Sequence, residues 1–196
     1  VLNDLGQFDL AILNYNKAIT YKPNFFQAYN NLGLSLNNIE MFKEALESFQ
    51  FAINIYPDYC DAYFNTGITY YNLGDLNQAI EYYKIALKIN PQFAKAYCNL
   101  GIVFREISEF DTALESYQTA LQINPNYTEV YNNIGILYYD MRQFGLSIVN
   151  YKKAISLAPD HIDPWINLSF SQLVSGNFKE GWINYERRRN NSAYNT

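Results

Sequence analysis

Apolar residues recur at helical spacing in paired runs along the chain, with a polar break between the two runs of a pair and a proline after the second. In residues 60–93, Tyr63, Gly67, Tyr70 and Leu73 mark a first helix, and Gly74-Asp75 is a turn. Leu76, Ala79, Ile80, Tyr83, Ala86 and Leu87 mark a second helix, which Asn90-Pro91 ends. The step from Pro23 to Pro57 is repeated without change to Pro91, Pro125 and Pro159, and Gly33, Gly67, Gly101 and Gly135 keep the same step. Two alanine series keep it as well, one from Ala18 to Ala154 and one from Ala11 to Ala113. Self-similarity at a fixed period predicts stacked helix pairs, with complete repeats at 26–59, 60–93, 94–127 and 128–161. A partial repeat, 1–25, precedes them and a divergent one, 162–196, follows.

The small residues have a steric part in this reading. Gly67 and Ala79 let paired helices approach closely, and Ala86 makes room for the next repeat. The series Tyr15, Phe49, Tyr83, Tyr117, Tyr151 and Tyr185 is expected to fill the space between helices, as is the series Tyr29, Tyr63, Tyr97, Tyr131 and Trp165. Most of the 17% aromatic content is thereby assigned to core and not to a cofactor pocket.

The pattern Tyr63-x-x-Thr66-Gly67-x-x-Tyr70, then Ala79-x-x-x-Tyr83-x-x-Ala86, then Pro91, resembles the tetratricopeptide repeat (TPR) over all but the last ten or so residues. The resemblance implies an all-α fold: a right-handed solenoid of antiparallel helix pairs whose first helices line a concave side. At about 100° per residue, positions 4, 7, 8 and 11 of each repeat cluster as core, and positions 2, 6, 9 and 13 face the groove. Position 6 is Asn31, Asn65, Asn99, Asn133 and Asn167. Asn is worse than Ala inside a helix by up to about 0.7 kcal/mol, a cost that local structure does not explain. An amide donates and accepts at once. First helices about 10 Å apart match three residues of extended chain at about 3.3 Å each. The ladder therefore suits an extended peptide; the alternative is that these amides bond to neighbouring helices. The ladder is also similar to that of the TPR superhelix of O-linked N-acetylglucosamine (O-GlcNAc) transferases, which holds substrate polypeptide.

Position 2 reads Gln27, Asp61, Lys95, Glu129 and Asp163, and position 13 reads Asn38, Asn72, Glu106, Asp140 and Val174, with Arg105 at position 12. The acids outnumber the bases, so the expected ligand is neutral to basic. Position 9 is apolar throughout: Leu34, Ile68, Ile102, Ile136 and Phe170. The terminal-carboxylate clamp of some TPR proteins is not expected. Asn65 and Lys95 fit it, but Asn30, Leu34 and Asn99 stand where Lys, Asn and Arg are needed.

Composition narrows the function further. A net charge of -5 argues against nucleic acid, which needs a basic stripe; Arg187-Arg188-Arg189 is only a small local patch. Cys60 and Cys98 are expected to be free thiols in a reducing, cytoplasmic setting. No stretch approaches the roughly 18–20 apolar residues of a membrane span. The chain opens at Val1 without Met and is expected to be a fragment, with apolar faces near Val1 favouring end-to-end association. His161 reads as a solvated turn residue; one His and two Cys in separate repeats make no standard zinc site. No phosphate loop or nucleophile elbow appears, and no cofactor is expected.

The last repeat departs from the pattern. Gly181 and Arg188 replace alanines, and Ala193 replaces the proline, so no further repeat is expected to stack there. The segment Gly176–Arg188 resembles the terminal repeat of bacterial proteins that fuse a TPR array to a glycosyltransferase-like domain; a solvent-facing cap is the other reading. Two functions follow. One is a non-catalytic scaffold that binds an extended protein segment through Asn31, Asn65, Asn99, Asn133 and Asn167, with Asp61, Lys95, Arg105, Glu129 and Asp140 around them. The other is the substrate-binding arm of a larger O-GlcNAc transferase-like enzyme.

Overall fold

The computed structural model describes residues 7–187, and every regular element among them is a helix. In chain order these are α1 (Phe8–Tyr21), α2 (Phe26–Asn38), α3 (Phe42–Ile55), α4 (Cys60–Asn72), α5 (Leu76–Ile89), α6 (Ala94–Glu106), α7 (Phe110–Ile123), α8 (Thr128–Asp140), α9 (Phe144–Leu157), α10 (Ile162–Val174) and α11 (Phe178–Glu186). They fall into two compact units, one ending at Ala96 and the other beginning at Tyr97, divided within α6. The expected all-α TPR solenoid is the observed fold class. Val1, Arg188, Arg189 and Ala193, on which the end-association and terminal-repeat expectations partly rest, lie outside the described residues.

Each first helix hands over to its partner through the same turn. Residues Glu40, Gly74, Ser108, Arg142 and Gly176 adopt positive φ, between 60° and 87°. The following N–H then reaches back past the end of the helix: Met41 to the Leu36 carbonyl at 2.9 Å, Glu109 to Phe104 at 2.8 Å, Gln143 to Tyr138 at 2.8 Å. This is a Schellman closure, which satisfies carbonyls that the helix end leaves open. Asp75 adds a side-chain cap, accepting from the Gln78 N–H at 3.1 Å. After the second helices, Asn90 and Asn124 accept from the N–H two residues on, at 3.1 and 3.2 Å, and so bend the chain into the proline turn.

Within each pair a ring lies where a glycine leaves room. A Cβ built on Gly33, Gly67, Gly101 or Gly135 would come within 2.6 Å of Phe49, Tyr83, Tyr117 or Tyr151 respectively. Those rings, with Ala45, Ala79 and Ala113 beside them, are the buried core of their pairs. The series is not uniform to its ends, since Tyr15 and Tyr185 are only half-buried.

The first-helix aromatics behave differently from expectation. Tyr29, Tyr63, Tyr97, Tyr131 and Trp165 are all half-buried; Tyr29, Tyr63 and Tyr97 pack against the edge of the buried clusters without being enclosed in them. Tyr131 Oη donates to the Pro125 carbonyl at 3.1 Å, and Trp165 Nε1 donates to the Pro159 carbonyl at 3.0 Å. A ring with a polar tip suits this half-wet place over a turn. The last pair explains its own irregularity: a Cβ on Gly181 would meet Leu173 side-chain carbons at 2.8 Å, so α11 sits too close to α10 for the usual alanine.

Candidate functional site

Position 6 of the repeat faces sideways as much as outward. In the N-terminal unit, Asn65 Nδ2 donates to Asn30 Oδ1 at 2.8 Å, and Asn30 Nδ2 reaches Asn31 Oδ1 at 3.5 Å. Asn30 is 3% exposed and Asn65 is 7% exposed, whereas Asn31 is half-buried. In the C-terminal unit, Asn133 Nδ2 donates to Cys98 Sγ at 3.5 Å, and Asn167 Nδ2 donates to Asn132 Oδ1 at 3.0 Å. Asn99, Asn133 and Asn167 are half-buried. The common geometry is a donation from position 6 to position 5 of the preceding repeat. Each of these donating amides has a second N–H and a carbonyl oxygen beyond that bond.

A second seam joins positions 12 and 13 with the same offset. Asn37 Oδ1 accepts from Thr69 Oγ1 at 3.0 Å and from Asn72 Nδ2 at 3.5 Å. In the C-terminal unit the equivalent pair is ionic, Arg105 Nη1 to Asp140 Oδ2 at 3.1 Å. Both side chains are partly exposed, so the pair contributes at most about 1 kcal/mol. It removes one acid and one base from the charge that a ligand meets. Asp61, Lys95, Glu129 and Asp163 at position 2 are exposed.

The C-terminal unit carries two recesses along the seam between α8 and α10. The first, about 340 Å³, is lined by Thr128, Glu129, Asn132, Asn133, His161, Asp163 and Pro164. The second, about 280 Å³, is lined by Ile136, Tyr139, Asp140, Tyr151, Asn167 and Phe170. One ladder amide thus stands in each recess, with exposed carboxylates around the first and mostly apolar side chains in the second. Position 9, apolar throughout the repeats, supplies Ile136 and Phe170 here.

Sequence reasoning missed the partners. Asn30, Cys98 and Asn132 at position 5 orient the ladder, but that position does not repeat, because Phe64 and Ile166 also occupy it. His161, expected in a solvated turn, is the N-cap residue of α10 and lines the first recess. Among the described residues no group of three His, Cys, Asp or Glu side chains is placed to hold a metal, and no helix is long and apolar enough to cross a membrane.

Both cysteines are free thiols. Burial, with the nearby Glu129 charge adding to it, pushes the Cys98 thiol from its ordinary value near 9.0 up to about 12. Burial likewise raises the Tyr127 hydroxyl beside it. The unfolded chain releases the thiol proton first, so this contribution to stability is intact below pH 9 and is lost as pH climbs toward 12. Unfolding free energies from urea titrations at stepped pH should fall between pH 9 and 10, with this thiol contributing up to about 1.4 kcal/mol per pH unit. The fall should shrink in Cys98→Ala; an equal fall there would show that the thiol is not its source.

Family models described as TPR repeat match residues 1–38 and 103–141. Models described as tetratricopeptide repeat match 26–59, 60–93, 82–115 and 128–161. No curated protein matches the sequence. Among solved structures, MamA is 27% identical, with 80% of this chain and 91% of that one covered and a TM-score of 0.68. TTC0263, a thermophilic TPR protein of Thermus thermophilus, is 24% identical over 88% of this chain and 94% of its own, at a TM-score of 0.76. YrrB, described as a TPR protein with an unusual peptide-binding site, is 19% identical over 87% and 88%, at 0.65.

Proposed function

The chain belongs to the tetratricopeptide-repeat family, and from that premise we propose that it is a non-catalytic scaffold holding an extended segment of another protein. The observation that carries the reading is the α8–α10 seam, where Asn133 and Asn167 each stand in a recess wall. An amide held at one hydrogen by its neighbour is oriented before the ligand arrives, which lowers the entropic cost of binding. Glu129 and Asp163 favour a Lys or Arg side chain in the first recess, and Ile136 and Phe170 favour an apolar one in the second. The peptide-binding site for which YrrB is described points the same way. Asn65, being buried, serves this reading mainly by fixing α4 against α2; Asn99 belongs to the ligand surface of the C-terminal unit, and Asn31, Asp61 and Lys95 are candidate ligand contacts of the N-terminal unit taken by itself.

The second reading, the substrate-binding arm of a larger glycosyltransferase, uses the same face and rests on the segment Gly176–Arg188. Both readings predict that this chain alone binds peptide and no sugar donor. An array of extended peptides should retain those carrying Lys or Arg near an apolar residue and release their Glu-substituted versions. Preference for acidic peptides, or no retention, would defeat the scaffold reading. Calorimetric titration with uridine-diphosphate sugars should give no heat of binding; micromolar affinity would place sugar-donor recognition in this chain.

A further inference from the structure

Repeat position 22 lies on the solvent side of every second helix. It is Leu13 in α1, where Asp9 and Lys17 balance around it, then Glu47 in α3, Glu81 in α5 and Glu115 in α7, all exposed, and then Val149 in α9 and Ile183 in α11. Val149 is 62% exposed and Ile183 56%, with Leu146 at 47% and Trp182 at 55% beside them. The charge changes at the same point. Helix α7 contains Asp111 and Glu115 and no Lys or Arg; α9 contains Lys152 and Lys153 and no Asp or Glu. These lysines follow Val149 by three and four residues on the exposed side of α9; Lys153 Nζ also lies 5.8 Å over the Tyr131 ring of α8, a contact it would exchange for a lipid phosphate. Around Ile183, Lys179 and Arg187 are offset by Glu180 and Glu186, which leaves the basic surplus on α9.

We propose that the outer faces of α9 and α11 dock on an anionic lipid surface. The combination of protruding aliphatic side chains, a Trp and flanking lysines is that of an interfacial surface, with the apolar tips entering the headgroup boundary and the ammonium groups meeting lipid phosphates. The apolar residues stand out from the helices, which suits a broad surface better than a narrow peptide. Contact is peripheral, since no described helix can span a bilayer. A chain of net charge -5 is repelled by an anionic membrane at long range, so the apolar contacts are necessary and binding must be weak and salt-sensitive. The face is separate from the α8–α10 recesses, and the inference does not rest on the peptide reading.

The repeat supplies its own control. Val149→Glu with Ile183→Glu installs the residue that α3, α5 and α7 already carry at this position, so the fold should be kept. The chain should sediment with phosphatidylcholine vesicles containing phosphatidylserine, and not with phosphatidylcholine alone. The double variant should lose at least about tenfold in binding with an unchanged melting curve. Lys152→Gln with Lys153→Gln, which leaves the apolar residues in place, should lose about thirtyfold. Absence of sedimentation, equal binding to neutral vesicles, or undiminished binding by either variant would overturn the proposal. Capture of an acidic protein by this face, with no vesicle binding, would overturn it in favour of a protein partner.

Discussion

Replacing Gly101 by Ala should lower stability by about 2 kcal/mol in the native chain, yet raise it once Tyr117 has been cut to Ala. Two opposed effects set these signs. Inside a helix Ala is better than Gly by about 1 kcal/mol. Against this, the new methyl would lie 2.6 Å from Tyr117 Cδ1 and closer still to Cε1. Tyr117 is 0% exposed and packed among Cys98, Ala113, Ala120 and Val130, so its ring has nowhere to turn. Overpacking of this kind costs about 1–3 kcal/mol or more, and contact well inside van der Waals distance puts it at the upper end. Tyr117→Ala alone should cost about 3–5 kcal/mol, the usual range for a buried aromatic. With the ring gone the clash disappears and the propensity gain remains. A double-mutant cycle by urea denaturation should therefore return a coupling of about 3 kcal/mol. Additive effects would mean that the glycine is there for some reason other than the ring.

That glycine and that ring were legible as two series with one shared period, because packing between paired helices repeats with the backbone. The turn before each second helix was legible only where Gly74 and Gly176 mark it. Glu40, Ser108 and Arg142 take the same left-handed conformation at a cost of about 1–2 kcal/mol each. The Schellman closure of the backbone holds them there, and no side chain announces it. The ladder was legible as a row of asparagines but not as unequal members. Asn65 and Asn167 both donate to an asparagine at position 5 of the preceding repeat, yet Asn65 is buried and Asn167 half-buried, while Asn133 meets Cys98 there instead. Periodicity locates a side chain on a face; it does not report a neighbour that breaks the period. The same limit explains Tyr131 and Trp165, whose polar tips reach back to the carbonyls of Pro125 and Pro159 and hold the rings out of the core.

The asparagines should accordingly separate into two classes when replaced by Ala. Asn65→Ala removes the donor from Asn30 Oδ1, an acceptor on a residue 3% exposed, where water cannot easily substitute. Leaving such a group unmet costs about 1–3 kcal/mol, and the gain in helix propensity returns at most about 0.7, so the melting temperature should fall. Asn133→Ala gives up only a 3.5 Å contact to sulfur, a weak acceptor, and Asn167→Ala gives up a bond to a half-buried amide at a recess that water can enter. The pair of changes together should shift stability by less than about 1 kcal/mol, with propensity offsetting the lost bonds. Its effect on a peptide retained by the array should be far larger, because each missing amide leaves backbone groups of the ligand unmet at about 1–3 kcal/mol apiece. Losses of about tenfold to a hundredfold per site would follow. Melting curves run beside peptide titrations distinguish the outcomes. If Asn133→Ala with Asn167→Ala melts much earlier while its folded fraction keeps full affinity, those amides are struts between helices and the ladder binds nothing.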